Sequence, residues 1–345
     1  MIIKGSIATY PILAILVKRG KRTFENMGRM IKTSGDTVRR MLRPGDESLK
    51  ASQKIAQEMF AKKKTLVLAI DETTIKKSYS TIIQGVFHLF DLKIGQSSKG
   101  YKALVAVITD GKHTIPIKAS FSFGKEFYED AKKARQVAVK FFIAEAQKLF
   151  PGVRIVVVLD GAFSSIEFMQ WALKNKIDVE IRMPSNRVVV YKGRRMQIKL
   201  IFELIPNGLK MSRTRGVLWN GLYIYITAVR RIDRHGNESI VYQASTFEAS
   251  SNEHAKFYKQ RWGIEKMFRT TKQSLGLQEC FSTKIAVQYD HMCAIFLAHA
   301  IAQMEMRKKN YKNPEEAIKA FDRKNHYTIN NQLRRLDRAN DAICA

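Results

Sequence analysis

Two aspartates stand where a sheet-forming sequence most readily places chemistry. Asp71 directly follows the apolar run Leu66–Ile70, and Asp160 follows Arg154–Leu159 and precedes Gly161. A carboxylate at the carboxyl end of a buried strand, beside a glycine that lets a ligand approach the backbone, is where α/β sheets gather active-site groups. Two such acids in one sheet point to a shared metal ion. Either one alone reads as readily as a helix cap or the start of a turn.

A third acid comes from a helical segment farther on. With about 100° per residue and Tyr258 at the origin, Arg261 falls near −60°, Glu265 near −20° and Lys272 near −40°. One stripe therefore carries an aromatic hydroxyl, two cations and one acid, while Trp262, Met267 and Phe268 spread over the other sides as packing anchors. The competing reading is an exposed ion-pair face with Glu265 between Arg261 and Arg269.

Phosphodiester hydrolysis needs charge neutralised on both the attacking and the leaving oxygen, and two divalent ions about 3.5–4 Å apart achieve this. Three carboxylates are a sufficient hard-oxygen set for Mg2+. Histidine and cysteine offer no rival cluster. His291 and His299 lie eight apart on an apolar helix and read as core residues, and His88 and His113 have no partner at ligand spacing. Cys280, Cys293 and Cys344 show no paired spacing, which fits a reducing cytoplasm.

Taken together, the motifs are Asp-Glu-Thr at 71–73, Asp-Gly-Ala-Phe at 160–163, and Tyr-x2-Arg-x3-Glu-x6-Lys at 258–272. With them the sequence resembles bacterial insertion-sequence transposases of the DDE superfamily, in the branch whose third acid lies in a Tyr-Arg-Glu-Lys signature. The resemblance spans roughly Thr65 to Met304. It departs from its relatives after Asp160, where Gly161 and Ala162 stand in place of a frequent basic residue before Gly-Phe; Phe163 keeps the aromatic.

The resemblance implies a ribonuclease-H-like core with Asp71, Asp160 and Glu265 as catalytic residues and metal ligands. Asp71 would bridge two Mg2+ ions, for which Mn2+ would substitute, and Asp160 and Glu265 would each hold one. Tyr258, Arg261 and Lys272 would contact the phosphate or displaced nucleotide near the cut end. The implied partners are double-stranded DNA, as terminal inverted repeats and target, and a second copy of the chain in a homodimeric DNA complex on the bacterial nucleoid. Relatives carry a β-rich insertion between the second and third acids that covers the hairpin end of cleaved DNA and often supplies a stacking tryptophan. Trp219 is the only tryptophan in the corresponding segment, and a core tryptophan is an equal reading.

The elements that must position these residues divide the chain by charge and periodicity. Residues 1–64 are helical and basic, with 15 Lys and Arg against 5 Asp and Glu. Thr23–Ile31 and Asp36–Leu42 read as two short helices around Thr33-Ser34-Gly35, a turn of helix-turn-helix type that would set Arg39, Arg40 and Arg43 against DNA. Residues 65–183 turn to strands at Leu66–Ile70, Ala103–Thr109, Ile115–Phe121, Arg154–Leu159 and Ile177–Met183, with helices over Tyr128–Phe150 and Ser164–Lys176. That order predicts a mixed α/β sheet flanked by helices.

Residues 184–250 break the rhythm with strands over Arg187–Tyr191, Gln197–Leu204, Leu222–Ala228 and Ser239–Ser245, separated by turn signals such as Pro206-Asn207-Gly208. They read as an inserted antiparallel subdomain, basic as well, with 11 Lys and Arg against 4 Asp and Glu. The 105 positions from Asp160 to Glu265 require such an insertion, since a strand-helix unit is far shorter. Residues 251–306 return to helices, one long over Asn252–Gly276 and one over His291–Met306. The tail 307–345 is charged, with short helical stretches at Glu315–Arg323 and Asn330–Arg338.

Overall, 60 Lys and Arg against 31 Asp and Glu give a net charge of +29, the footprint of a polyanion partner on a folded, soluble chain. Nucleic acid comes first; a membrane surface, a ribosome or a merely basic surface are the alternatives. The runs Ile7–Val17 and Met292–Met304 are too short to span a bilayer, so no membrane association is expected. A different nuclease on the same fold would share the three acids without needing the basic helical region or the insertion. A non-catalytic regulator derived from a transposase would not need to keep Asp71, Asp160 and Glu265.

Overall fold

The structure is a computed structural model that describes residues 12, 14–16, 20–78, 82–91, 95–122, 131–203, 213–232 and 235–320. Its frame is one mixed sheet of eleven strands. The long strand β1 (Thr65–Lys76) lies at its heart, antiparallel to β3 (Gln96–Thr109) on one side and parallel to β5 (Arg154–Leu159) on the other. β4 (Thr114–Ser122) and the short β2 (Phe87–Asp91) both pair with β3, and β6 (Asp178–Met183) lies parallel to β5. The runs Leu66–Ile70 and Val156–Leu159 are buried on both faces, as the continuous apolar pattern of a parallel core requires.

In the catalytic half one helix begins, and another ends, where the sequence signals it. Ser165 caps α5 (Ile166–Lys174) through Phe168, and Pro151-Gly152 closes α4 (Ala131–Leu149), with Gly152 at φ 74°. Ahead of them, Thr23 caps α1 (Phe24–Met30) and Ser34 caps α2 (Gly35–Arg40), the two-helix unit expected around Thr33-Ser34-Gly35. Its close approach depends on two glycines. A Cβ on Gly28 would lie 2.6 Å from the Thr33 carbonyl oxygen, and one on Gly35 would lie 2.8 Å from the Glu25 nitrogen.

The basic amino-terminal region is not separate along its whole length. α3 (Gly45–Phe60) packs along the edge strand β4, where Ser52 donates to the Pro116 carbonyl and Gln53 to that of Ile117 at 2.8 Å. The Gly45 N–H donates to Asp290 at 2.7 Å, which joins this helix to α9 (Ile285–Lys309). By length and composition α9 can cross a membrane, so the shorter run seen in the sequence understated it. Yet 72% of its apolar window is buried inside the molecule, the setting of a core helix. Ile12 and Ala14–Leu16 from the first apolar run are also buried.

The segment 184–250 is β-rich and antiparallel, as expected of an insertion, and its strands join the core sheet. β7 (Val188–Tyr191), β8 (Arg194–Gln197), β9 (Arg213–Trp219), β10 (Leu222–Ile232) and β11 (Glu238–Ser245) continue the core sheet, because β11 pairs antiparallel with β6. Ile198–Glu203, expected as strand, is a helical turn, α6, whose Ile198, Ile201 and Phe202 are buried at i, i+3 and i+4. The expected single helix over Asn252–Gly276 is two, α7 (Ser251–Gln260) and α8 (Trp262–Ser274), joined at Arg261. In the tail, residues 314–320 are helical, and the stretch expected at Asn330–Arg338 lies outside the described residues.

Candidate active site

Asp71 and Asp160 occupy equivalent positions on neighbouring strands. The parallel pairing of β1 and β5 ends at Ile70 and Leu159, and each acid is the next residue. They therefore face the same side of the sheet with their strands about 4.8 Å apart. Asp71 is not a strand end, however. β1 runs on to Lys76 because β3 keeps pairing with it, from Asp71 opposite Val105 to Lys76 opposite Gly100. β5 does stop, and Asp160 leads into a single 3-10 turn, Gly161–Phe163.

The face bearing these acids is covered by α7 and α8. A capping box starts α7, with the Glu253 N–H donating to the Ser250 hydroxyl at 3.3 Å and the Ser250 N–H donating to the Glu253 carboxylate at 3.1 Å. Tyr258 on this helix is 5% exposed and packs on Val67, Val156 and Val158. Gly263 lets α8 press onto β4, since a Cβ there would lie 2.5 Å from the Thr114 hydroxyl. The junction between the helices tightens through i→i+3 bonds, the Arg261 N–H to the Tyr258 carbonyl and the Ile264 N–H to that of Arg261.

That junction aims Arg261 into the acids. Its guanidinium donates to Asp71 Oδ2 at 2.8 Å through one Nη and to Glu265 Oε1 through the other. It also stacks 5.6 Å from the Tyr258 ring. Burial pushes the Asp71 carboxyl up to about 6, with Arg261 and the Glu72 N–H opposing and the negative charges of Asp160 and Glu265 adding to the rise. All three acids thus share one electrostatic site. Burial also raises the Tyr258 hydroxyl, against the pull of Arg261 and with Asp160 pushing the same way.

As they stand, Asp71 and Glu265 meet on Arg261, and Asp160 acts on it through its charge. Among the described residues, no three acidic, histidine or cysteine side chains come close enough to hold a metal ion. The donor chemistry nonetheless fits a hard divalent cation. The set is all oxygen, and it includes in Asp71 a carboxyl that burial has stripped of solvation.

The other expected contacts are distributed unevenly. Lys272 is half-buried on α8, about 10 Å along the axis from Glu265. Arg39 and Arg40 both pair with Asp36, at 2.5 and 3.1 Å, and Arg40 is exposed on α2; Arg43 follows it, half-buried. Trp219 lies in the core at 2% exposure, with the Arg187 guanidinium 5.3 Å over its ring, so it presents no face for a base to stack on. The open aromatic of the insertion is Tyr223, 56% exposed and in edge contact with Tyr225.

Arg182 is a site residue the sequence did not single out. β5 and β6 are in register to Leu159 and Ile181, so Arg182 is the neighbour of Asp160 on the same face, and its charge acts on Tyr258. The only signal in the sequence was a cation two residues past a glutamate in a short predicted strand.

A sheet ordered β4-β3-β1-β5-β6, with acids side by side on β1 and after β5 and a third on the helix that closes over them, defines a ribonuclease-H-like catalytic domain. Residues 62–301 match the family described as the transposase DDE domain, and the chain belongs to that family of DNA transposases. No curated protein matches it. Among solved structures it is similar to the piggyBac transposase, seen in a cryo-EM structure of its synaptic complex with hairpin DNA. The TM-score is 0.55 at 13% identity, over 96% of this chain and 72% of that one. The NurA nuclease from Sulfolobus solfataricus also aligns, with a TM-score of 0.30 at 10% identity over 71% of this chain and 85% of that one, too distant to bear on the argument.

Proposed function

We propose that this transposase cuts the ends of a bacterial insertion sequence and joins them to target DNA, with Asp71, Asp160 and Glu265 as the catalytic carboxylates. The observation that carries this reading is the Arg261 guanidinium held between Asp71 and Glu265, with Asp160 beside them. These three carboxylates would hold Mg2+, as two ions, with Mn2+ able to substitute. When bound, the ions supply charge neutralisation on the attacking and leaving oxygens of the phosphodiester.

The chain's own groups account for the rest. Arg261 fixes the rotamers of Asp71 and Glu265 before DNA arrives, and its charge then faces the phosphate, with Arg182 on the far side of Asp160. Tyr258 closes the apolar floor beneath them and excludes water. Lys272, Arg39 and Arg40 on α2, and Arg43 just after that helix engage the duplex flanking the cut. Water attack at the element end frees a 3′ hydroxyl, which attacks the opposite strand to give a hairpin, or target DNA directly. The hairpin DNA in the piggyBac synaptic complex supports the first route, and a homodimer acting on paired ends is the assembly proposed. The protein would work in the cytoplasm on nucleoid DNA.

The test is purified protein with Mg2+ and duplexes carrying the element's terminal inverted repeats. Nicked and then hairpinned or joined ends are expected. Absence of any cleavage by the unaltered protein overturns the activity, and full cleavage by Asp160→Ala overturns the site.

A further inference from the structure

Asp71 and Asp160 stand where the β1–β5 ladder ends. Past Ile70 and Leu159 no backbone pair joins the two segments, for β1 continues with β3 while β5 turns away into the 3-10 turn. Two carboxylates that must act on one phosphate therefore sit on diverging backbones. Something other than the sheet has to hold them at a fixed separation.

The side chain that spans this gap is Arg135, on α4 behind the sheet. One Nη lies 3.6 Å from the Glu72 carboxylate, the residue after Asp71, and the other donates to the Ala162 carbonyl at 3.2 Å, two residues after Asp160. Its guanidinium lies 4.9 Å over the Phe163 ring, which is itself buried. Alternation along β1 turns Glu72 away from the catalytic face, so the contact approaches the acids from behind without crowding them. We infer that Arg135 is a positioning residue, a clasp that locks the Asp-Glu-Thr and Asp-Gly-Ala-Phe segments together and so sets the separation of Asp71 and Asp160.

Only a planar fork does this. A lysine is a single point charge that reaches Glu72 or Ala162 but not both, and it stacks less well on Phe163. Arg135 also neutralises Glu72, a fourth carboxylate beside an already acid-rich site. The neighbouring Gln136 provides an internal control. It donates to the Ser165 hydroxyl at 2.9 Å and so docks the same helix on the same loop without touching either acid-bearing segment.

The inference rests on the proposed cleavage activity, and the experiment separates the two. Arg135→Gln, Arg135→Lys, Glu72→Gln and Gln136→Ala are compared with the unaltered protein in DNA-end cleavage, in duplex binding, in thermal unfolding and in binding of Mn2+ alone, followed by the EPR signal of the free ion. Expected for Arg135→Gln and Glu72→Gln is a fall in kcat of tenfold or more with duplex affinity within about twofold, and Mn2+ binding at least fivefold weaker. Arg135→Lys should recover part of each, and Gln136→Ala should leave kcat and Mn2+ binding unchanged.

Arg135→Gln with kcat and Mn2+ binding within twofold of the unaltered protein overturns the clasp. So does Gln136→Ala matching its losses, which would mean that helix docking alone matters. If the unaltered protein cuts no DNA, the activity fails, while Mn2+ binding still decides the clasp; if it also binds no Mn2+, both fall.

Discussion

His254 Nδ1 lies 2.7 Å from Glu180 Oε2, and neither side chain is exposed. His254 sits one turn before Tyr258 on α7, so this buried pair pins to β6 the helix that delivers Tyr258 and, a turn later, Arg261. Burial raises the Glu180 carboxyl to about 7 from 4.5, although the hydrogen bond and charge of His254 work to lower it.

An acid whose folded value is raised holds its proton in the native state after the unfolded chain has released it. Between pH 4.5 and 7 the native state binds more protons, so this group's contribution to stability falls as pH rises through that window. Glu180→Gln removes the titration and should flatten this part of the pH dependence. Urea unfolding of both proteins between pH 4.5 and 7.5 measures it. Parallel stability curves for the two would show that Glu180 does not titrate in that range.

Much of this site was legible before the fold. Asp71 and Asp160 followed apolar runs, and a 3.6 period put Tyr258, Arg261 and Glu265 on one stripe because the two helices that carry them are nearly continuous. What escaped was whatever depended on pairing. Nothing in the local pattern separates Ile198–Glu203 from the strand before it, since six residues with four apolar ones satisfy either period. The junction at Arg261 carries no proline. Arg182 and His254 become site residues only through the register of β5 with β6, and of β6 with α7 above it, which no spacing along the chain encodes.

Trp219 offers a direct contrast between core and contact. Its ring is enclosed with Arg187 over it, whereas Tyr223 in the adjoining strand is exposed. Trp219→Ala should cost about 3–5 kcal/mol of stability, as deletion of a buried aromatic does. Tyr223→Ala should leave unfolding within about 0.5 kcal/mol of the parent. Denaturant titrations decide this, and a Trp219→Ala protein of parental stability would mean that the ring is not core.

The helix-turn-helix arginines should appear in the salt dependence of DNA binding. Each phosphate contact contributes about 0.9 to the slope of log affinity against log salt. Replacing Arg39, Arg40 and Arg43 together with glutamine should therefore flatten the slope by up to about 2.7. The reading is strongest at Arg40, whose side chain is 67% exposed despite its pair with Asp36. Fluorescence anisotropy with a labelled end duplex at several salt concentrations supplies the number; an unchanged slope would move the DNA contact elsewhere.

Arg261 makes the sharpest demand on side-chain shape. Two separate nitrogens of one planar group reach Asp71 and Glu265, while its carbon face lies against Tyr258. Lysine keeps the charge but cannot hold two carboxylates at once or offer a flat surface to the ring. If Arg261 acts by fixing both acids before DNA binds, Arg261→Lys should lose about 10²–10³ in the cleavage rate, the scale of one preorganised electrostatic contact. Duplex affinity should change little, because lysine keeps the charge and one cation among 60 Lys and Arg carries a small share of phosphate binding. Single-turnover cleavage at saturating protein isolates the rate from the affinity. Were Arg261→Lys to cut at the parental rate, the two-pronged geometry would be incidental and charge alone would suffice at that position.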